Sequence, residues 1–78
     1  MIFVYLLQSI KDESYYSGVS ENPLKRLAVH NRGGLRVTAS KRPWKIVYQK
    51  AHQDYLRARK HEKWLKKKNR DYKANLAG

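Results

Sequence analysis

The stretch Ile2-Phe-Val-Tyr-Leu-Leu-Gln8 lies in the longest apolar run of the chain and constrains the fold more than any other feature. Its length and its branched and aromatic residues suit a β-strand, and consecutive apolar side chains need cover on both faces. The run therefore predicts the central strand of a sheet. With 78 residues and no cysteine, the chain makes one small domain that neither disulfides nor a thiolate zinc site can staple. Its core must come from Ile2, Val4, Leu6, Leu7, Leu24, Leu27, Val47 and the aromatic residues. The run is too short for a bilayer, lacks a basic leader and is not followed by a small-residue cleavage site. Together with the missing cysteines, that predicts a cytoplasmic protein with no membrane partner.

The remaining elements alternate. Lys11-Asp-Glu-Ser14 supplies a polar turn, and Tyr15-Tyr-Ser-Gly-Val19 reads as a second strand, forming an antiparallel hairpin that sets Tyr5 and Tyr16 within reach of each other. Gly18 lets something approach the backbone closely. Asn22 before Pro23 is a helix start, and Gly33 and Gly34 mark a stop, which predicts a helix over 23–31. Leu24, Leu27 and Ala28 make its core face, while Arg26 and His30, one turn apart, project from a different side. Residues 35–42 read as a polar, basic loop, mobile without a ligand. Trp44-Lys-Ile-Val-Tyr-Gln-Lys50 follows as a third strand with Trp44, Ile46 and Tyr48 on one face. Asp54 caps a long basic helix extending to about Lys68. The domain thus spans 1–69, and 70–78 form a short helix or tail.

Charge narrows the partner. The net charge is +12, and residues 41–78 carry thirteen Lys or Arg against three acids. Such an excess repels itself in the compact chain, and a phosphate backbone relieves it with release of counterions. The basic helix lacks the broad Leu/Phe face of a membrane-surface helix. Within it Glu62 is the one acid between Arg57 and Arg70. It shares a helical face with Tyr55, Ala58 and Leu65, while Lys60, Lys63 and Lys67 point elsewhere. A carboxylate on an apolar stripe needs a cation, a metal or a proton. Two readings follow: a metal ligand facing nucleic acid, or a structural ion pair with a nearby Arg or Lys.

Taken in order, the motifs resemble a GIY-YIG nuclease domain of the short bacterial stand-alone, UPF0213-like group. Phe3-Val4-Tyr5 stands for the first motif and Tyr16-Ser17-Gly18 for the second, with Ser17 where Ile is usual. Asn22-Pro-Leu-Lys-Arg26-Leu-Ala-Val-His30-Asn31 resembles the helix that carries an Arg and then a His. Thr38 and Arg42-Pro-Trp-Lys-Ile-Val-Tyr48 resemble the entry to the third strand. Ala58-Arg-Lys-His-Glu62-Lys-Trp-Leu-Lys66 resembles the family's Ala-x-x-Arg-Glu pattern, with His61 in place of the Arg.

The resemblance implies an α+β fold, a three-stranded antiparallel sheet flanked by helices, and metal-dependent endonuclease activity on DNA phosphodiester bonds. It assigns Glu62 to Mg2+ or Mn2+, Arg26 to the scissile phosphate, and Tyr5, Tyr16 and His30 to the attacking water. A hard carboxylate suits Mg2+, and a guanidinium fork fits phosphate oxygens. Tyr is a reluctant base, so the cluster must lower its pKa or rely on His30 or metal-bound water. Lys41, Arg42, Lys60, Lys63, Lys66, Lys67 and Lys68 are the expected DNA-backbone contacts. Repair, or branched or single-stranded DNA, is the expected context, with an accessory protein partner and a monomer or weak dimer. The competing class is a nucleic-acid-binding module without cleavage, in which Tyr5 and Tyr16 are core aromatics.

Overall fold

The computed structural model describes all 78 residues. The elements are β1 (Ile2–Ser9), β2 (Tyr15–Ser20), α1 (Pro23–Asn31), α2 (Arg36–Ala39), β3 (Trp44–His52), α3 (Tyr55–Lys66) and α4 (Arg70–Leu76). β1 pairs antiparallel with both other strands, giving the order β2-β1-β3. The apolar run is therefore the central strand, and its alternation builds two cores. Ile2, Val4 and Leu6 pack with Ala58 and Leu65 of α3, and Tyr72 and Leu76 of α4 join them. On the other face Tyr5 and Leu7 pack with Trp44, Tyr16, Ile46 and Leu27 of α1. The fold is α+β, a three-stranded antiparallel sheet flanked by helices, as expected. No helix is long and apolar enough to cross a membrane.

Caps fix the helix starts. Asn22 accepts from the Lys25 amide at 3.2 Å, Asp54 from Arg57 at 2.9 Å and Asn69 from Tyr72 at 2.9 Å. Each satisfies one of the free amide donors of a first turn. Trp64 of α3 meets Tyr72 of α4 edge-on at 5.4 Å, with Lys68 over its ring at 4.5 Å, so it packs under the C-terminal helix. Beside it His61 hydrogen-bonds His52 at 2.9 Å, joining α3 to β3.

Three expectations change. Leu24 is 73% exposed and Ala28 also faces out, whereas Pro23 and His30 are buried and Leu27 half-buried. α1 turns this side inward because the sheet offers it the Tyr5 hydroxyl, which a leucine would leave unpaired and an imidazole satisfies. Trp44, Ile46 and Tyr48 do not share a face: Leu6 pairs with Tyr48 and Leu7 with Ile46, so Val47 is an extra residue. That bulge shifts the alternation, placing Ile46 in one core and Val47 and Tyr48 in the other. The segment read as a mobile loop carries α2, whose Thr38 is fully buried and accepts at its carbonyl from the Trp44 indole at 2.9 Å.

Asn31, the last residue of α1, ties the helix to the sheet. Its Oδ1 accepts from the Trp44 amide and its Nδ2 donates to the Trp44 carbonyl at 3.0 Å, clamping α1 to the start of β3. Asn31→Ala strands both Trp44 backbone groups in a partly buried place. It should lower stability by about 2 kcal/mol in urea titrations, whereas Asn31→Asp keeps the acceptor and should cost less.

Candidate active site

Tyr5 sits opposite Gly18 in the β1–β2 register. A Cβ at position 18 would meet the Tyr5 hydroxyl and Cζ and lie 3.0 Å from Cε2. Only glycine lets the Tyr5 ring cross β2, so a side chain rooted in the central strand reaches a cleft at the outer edge of the sheet. The cleft holds about 370 Å³ and is lined by Tyr5, Tyr16, Ser17, Gly18 and Val19 on the sheet side. Arg26 enters from α1, and Arg59, Glu62, Lys63 and Lys66 enter from α3.

His30 stands behind this wall. It is fully buried, its Nε2 lies 3.2 Å from the Tyr5 hydroxyl, and its Nδ1 lies 2.9 Å from Thr38 Oγ1. The Thr38 hydroxyl donates to the Leu35 carbonyl at 3.4 Å. Thr38 therefore accepts from Nδ1–H, which leaves Nε2 unprotonated to accept from the Tyr5 hydroxyl. Tyr16 packs its ring edge-on against His30 at 5.1 Å. Burial, reinforced by the Arg26 charge, pushes the His30 pKa below 6.5 and keeps the imidazole neutral. Burial also raises the Tyr5 pKa above 10, although Arg26 beside it works in the opposite direction. The cluster does not lower the tyrosine pKa. It gives the phenol a neutral acceptor instead.

Glu62 is the only carboxylate of the cleft, against four cations. Ser17 Oγ donates to its Oε2 at 3.0 Å, and Lys66 Nζ lies 3.2 Å from the same oxygen. The ion-pair reading of Glu62 thus has its lysine, but Lys66 is 59% exposed. An exposed pair one helical turn apart contributes only a few tenths of a kcal/mol. Ser17 is the buried partner, and the family's usual isoleucine would leave that bond unmade. Oε1 has no hydrogen-bond partner in the protein, so it can take a cation. No group of three or more His, Cys, Asp or Glu side chains gathers anywhere. One carboxylate fits an ion such as Mg2+, which keeps most of its waters, and does not fit a closed zinc site.

Tyr5, Tyr16, Arg26 and Glu62 thus meet in one cleft, with His30 one hydrogen bond behind it. Of the expected DNA contacts, Lys63 and Lys66 line the cleft, and Lys41, Arg42, Lys60, Lys67 and Lys68 do not. Lys41 pairs with Asp12 at 3.8 Å, Arg42 lies against Gly33, and Lys68 covers Trp64. Arg59, Ser17 and Thr38 belong to the site without having been singled out for it. Arg59 stands three residues before Glu62 on α3, a spacing that put it on the same side of the helix. Nothing local marks Ser17 or Thr38, because their partners lie 45 and 8 residues away.

The sheet, its flanking helices and this cleft describe a small α+β nuclease domain. The model of the GIY-YIG catalytic domain matches residues 1–75, and the chain belongs to the GIY-YIG nuclease family. It is 38% identical over 77 residues to a UPF0213 protein of Clostridium perfringens, covering 97% of this chain and 82% of that one. A UPF0213 protein of Staphylococcus haemolyticus is 33% identical over 75 residues, covering 95% and 90%. The structure-specific endonuclease subunit slx1 of Aspergillus oryzae is 50% identical over 48 residues, which are 55% of this chain and 12% of the relative. No solved structure gives a significant match.

Gly18→Ala should displace the Tyr5 ring and cost about 1–3 kcal/mol by overpacking. Denaturant titration measures the cost, and loss of the Tyr5–His30 contact should appear in the His30 ring resonances. The histidines set a second expectation. His61, like His30, has its pKa held below 6.5, by burial and then by His52 and Lys50. The unfolded chain therefore takes up these protons at higher pH than the folded one. Stability should be fully present above pH 6.5 and decline as pH falls below it. Urea midpoints measured on either side of that pH check this, and His61→Gln should soften the decline.

Proposed function

We propose that this protein is a divalent-metal-dependent endonuclease that hydrolyses DNA phosphodiester bonds. The observation that carries the reading is the convergence of the Tyr5 phenol, Arg26 and the lone carboxylate Glu62 on one cationic cleft. Glu62 Oε1 would hold Mg2+ or Mn2+, while Ser17 and Lys66 fix the other oxygen. The ion, when bound, supplies Lewis-acid neutralisation of charge on the phosphate.

The chain's own residues account for the rest. Arg26 offers a planar fork to two phosphate oxygens and stabilises the charge that develops on them. Arg59, Lys63 and Lys66 hold the flanking backbone, with affinity that depends on salt and little on sequence. The attacking water gives a proton to the Tyr5 oxygen as the Tyr5 proton passes to His30 Nε2, so no free phenolate is needed. A bound phosphate offsets Arg26, one of the two causes that depress the His30 pKa, and so eases that transfer. Tyr16 packs on His30 and lines the cleft, orienting both.

The structure-specific endonuclease subunits among the relatives favour a substrate defined by its shape, such as branched or single-stranded DNA in repair, and, being subunits, an accessory partner protein. A cytoplasmic location is consistent with that role. The test uses labelled duplex, single-stranded and branched DNA with Mg2+, with Mn2+ and with chelator. Cleavage is expected only with metal, and Glu62→Gln and Arg26→Ala should each reduce it roughly 100-fold or more. DNA binding in chelator should survive in Glu62→Gln. Absence of cleavage with either metal on every substrate would return the protein to the binding-module class.

A further inference from the structure

A second groove adjoins the cleft and has no part in the chemistry above. It holds about 590 Å³ between the β2–α1 turn, α1 and the start of α3, and shares Val19 and Arg26 with the cleft. Tyr55 lines the groove and remains 43% exposed although the Arg59 guanidinium lies 5.3 Å from its ring centre. Arg59 itself lines the cleft, so the cation–π pair of Arg59 and Tyr55 contributes one residue to each space. On α3, Tyr55, Arg59, Lys63 and Lys66 follow at intervals of four, four and three. They form one stripe about 16 Å long at 1.5 Å per residue.

The lining of this groove differs in kind from that of the cleft. Glu21 and Asn22 line the groove together with Lys25 and Arg26. Glu21 is exposed and forms no ion pair, and a carboxylate there repels a phosphate. Asn22 spends its Oδ1 on the Lys25 amide, which leaves its Nδ2 to donate. An acceptor, a donor and an aromatic plane are what the edge and face of a nucleobase require. The two cations suit the phosphates on either side of it.

We propose that this groove is a subsite for one unpaired nucleobase, stacked on Tyr55, adjacent to the phosphate held by Arg26. The inference rests on the nuclease reading for the position of the scissile phosphate. A base in a continuous duplex has its edge paired and its faces stacked, so it cannot enter. The subsite therefore selects nucleic acid that is unpaired at or beside the cut, without reading an extended sequence.

The test is made in chelator, where no cleavage occurs. Wild-type protein is titrated with an oligonucleotide carrying 2-aminopurine at one position, single-stranded or annealed into a blunt duplex. Tyr55→Ala should weaken single-strand binding roughly 5- to 30-fold and abolish the stacking-dependent fluorescence change. Duplex binding should change less than about 2-fold, and Tyr55→Phe should restore both readouts. Tyr55→Leu, which keeps apolar bulk without a ring plane, should behave like the alanine variant and provides the comparison if alanine unfolds the start of α3. Equal losses on both substrates, no loss on either, or failure of phenylalanine to restore binding overturns the subsite. Missing cleavage by wild-type protein with Mg2+ and Mn2+, while the binding contrast persists, overturns the nuclease reading instead.

Discussion

The Tyr5 ring lies across β2 at the one residue of that strand without a side chain, and the rest of the site follows from that crossing. Tyr5 belongs to the most buried strand, so its position is fixed by packing and not by the surface it reaches. Its hydroxyl would be an unpaired buried donor without His30, and His30 would be a buried orphan without Thr38. Each link obliges the next. α1 must turn its histidine inward, and the segment after it must fold back as α2 to deliver Thr38. The chain of hydrogen bonds that orients the phenol also determines how both helices dock.

The same economy holds on α3. Ala58 and Leu65 fill the core, Glu62 points across the β2 edge to Ser17, and the basic residues take the remaining directions. Like charges at this density repel within one small domain, which lowers its stability in the absence of a polyanion. Glu62 relieves only its own neighbourhood. Four of the cations line the cleft, where a phosphate backbone would relieve their share of the repulsion.

Much of this was legible in the sequence because it depends on local rules. The central strand, the cap at Asn22 and the helix over Pro23–Asn31 stand where the apolar run and the Asn-Pro pair put them. Tyr5, Tyr16, Arg26 and Glu62 could be gathered by the order of their motifs and meet in one cleft. What escaped depends on distant partners. A hydropathy pattern assigns Leu24 to the core and His30 to the surface, and only the Tyr5 hydroxyl across the interface reverses that choice. The bulge at Val47 shifts a face without leaving any trace in strand composition. Ser17 looked like a lost packing residue, yet opposite Glu62 a hydroxyl is worth more than a methyl group.

A three-stranded sheet has two edges, and an unpaired edge invites other strands. On β3 the exposed Lys45 and Lys50 guard the edge by charge. β2 is guarded differently: the Tyr5 ring lies against it, and Arg26, Arg59 and Lys63 line the cleft beside it from the two helices. A neutral strand seeking to pair there would have to displace a row of cations, whereas an extended polyanion would be drawn in. The side chains that would obstruct a pairing strand are those that line the cleft, which is placed on that edge.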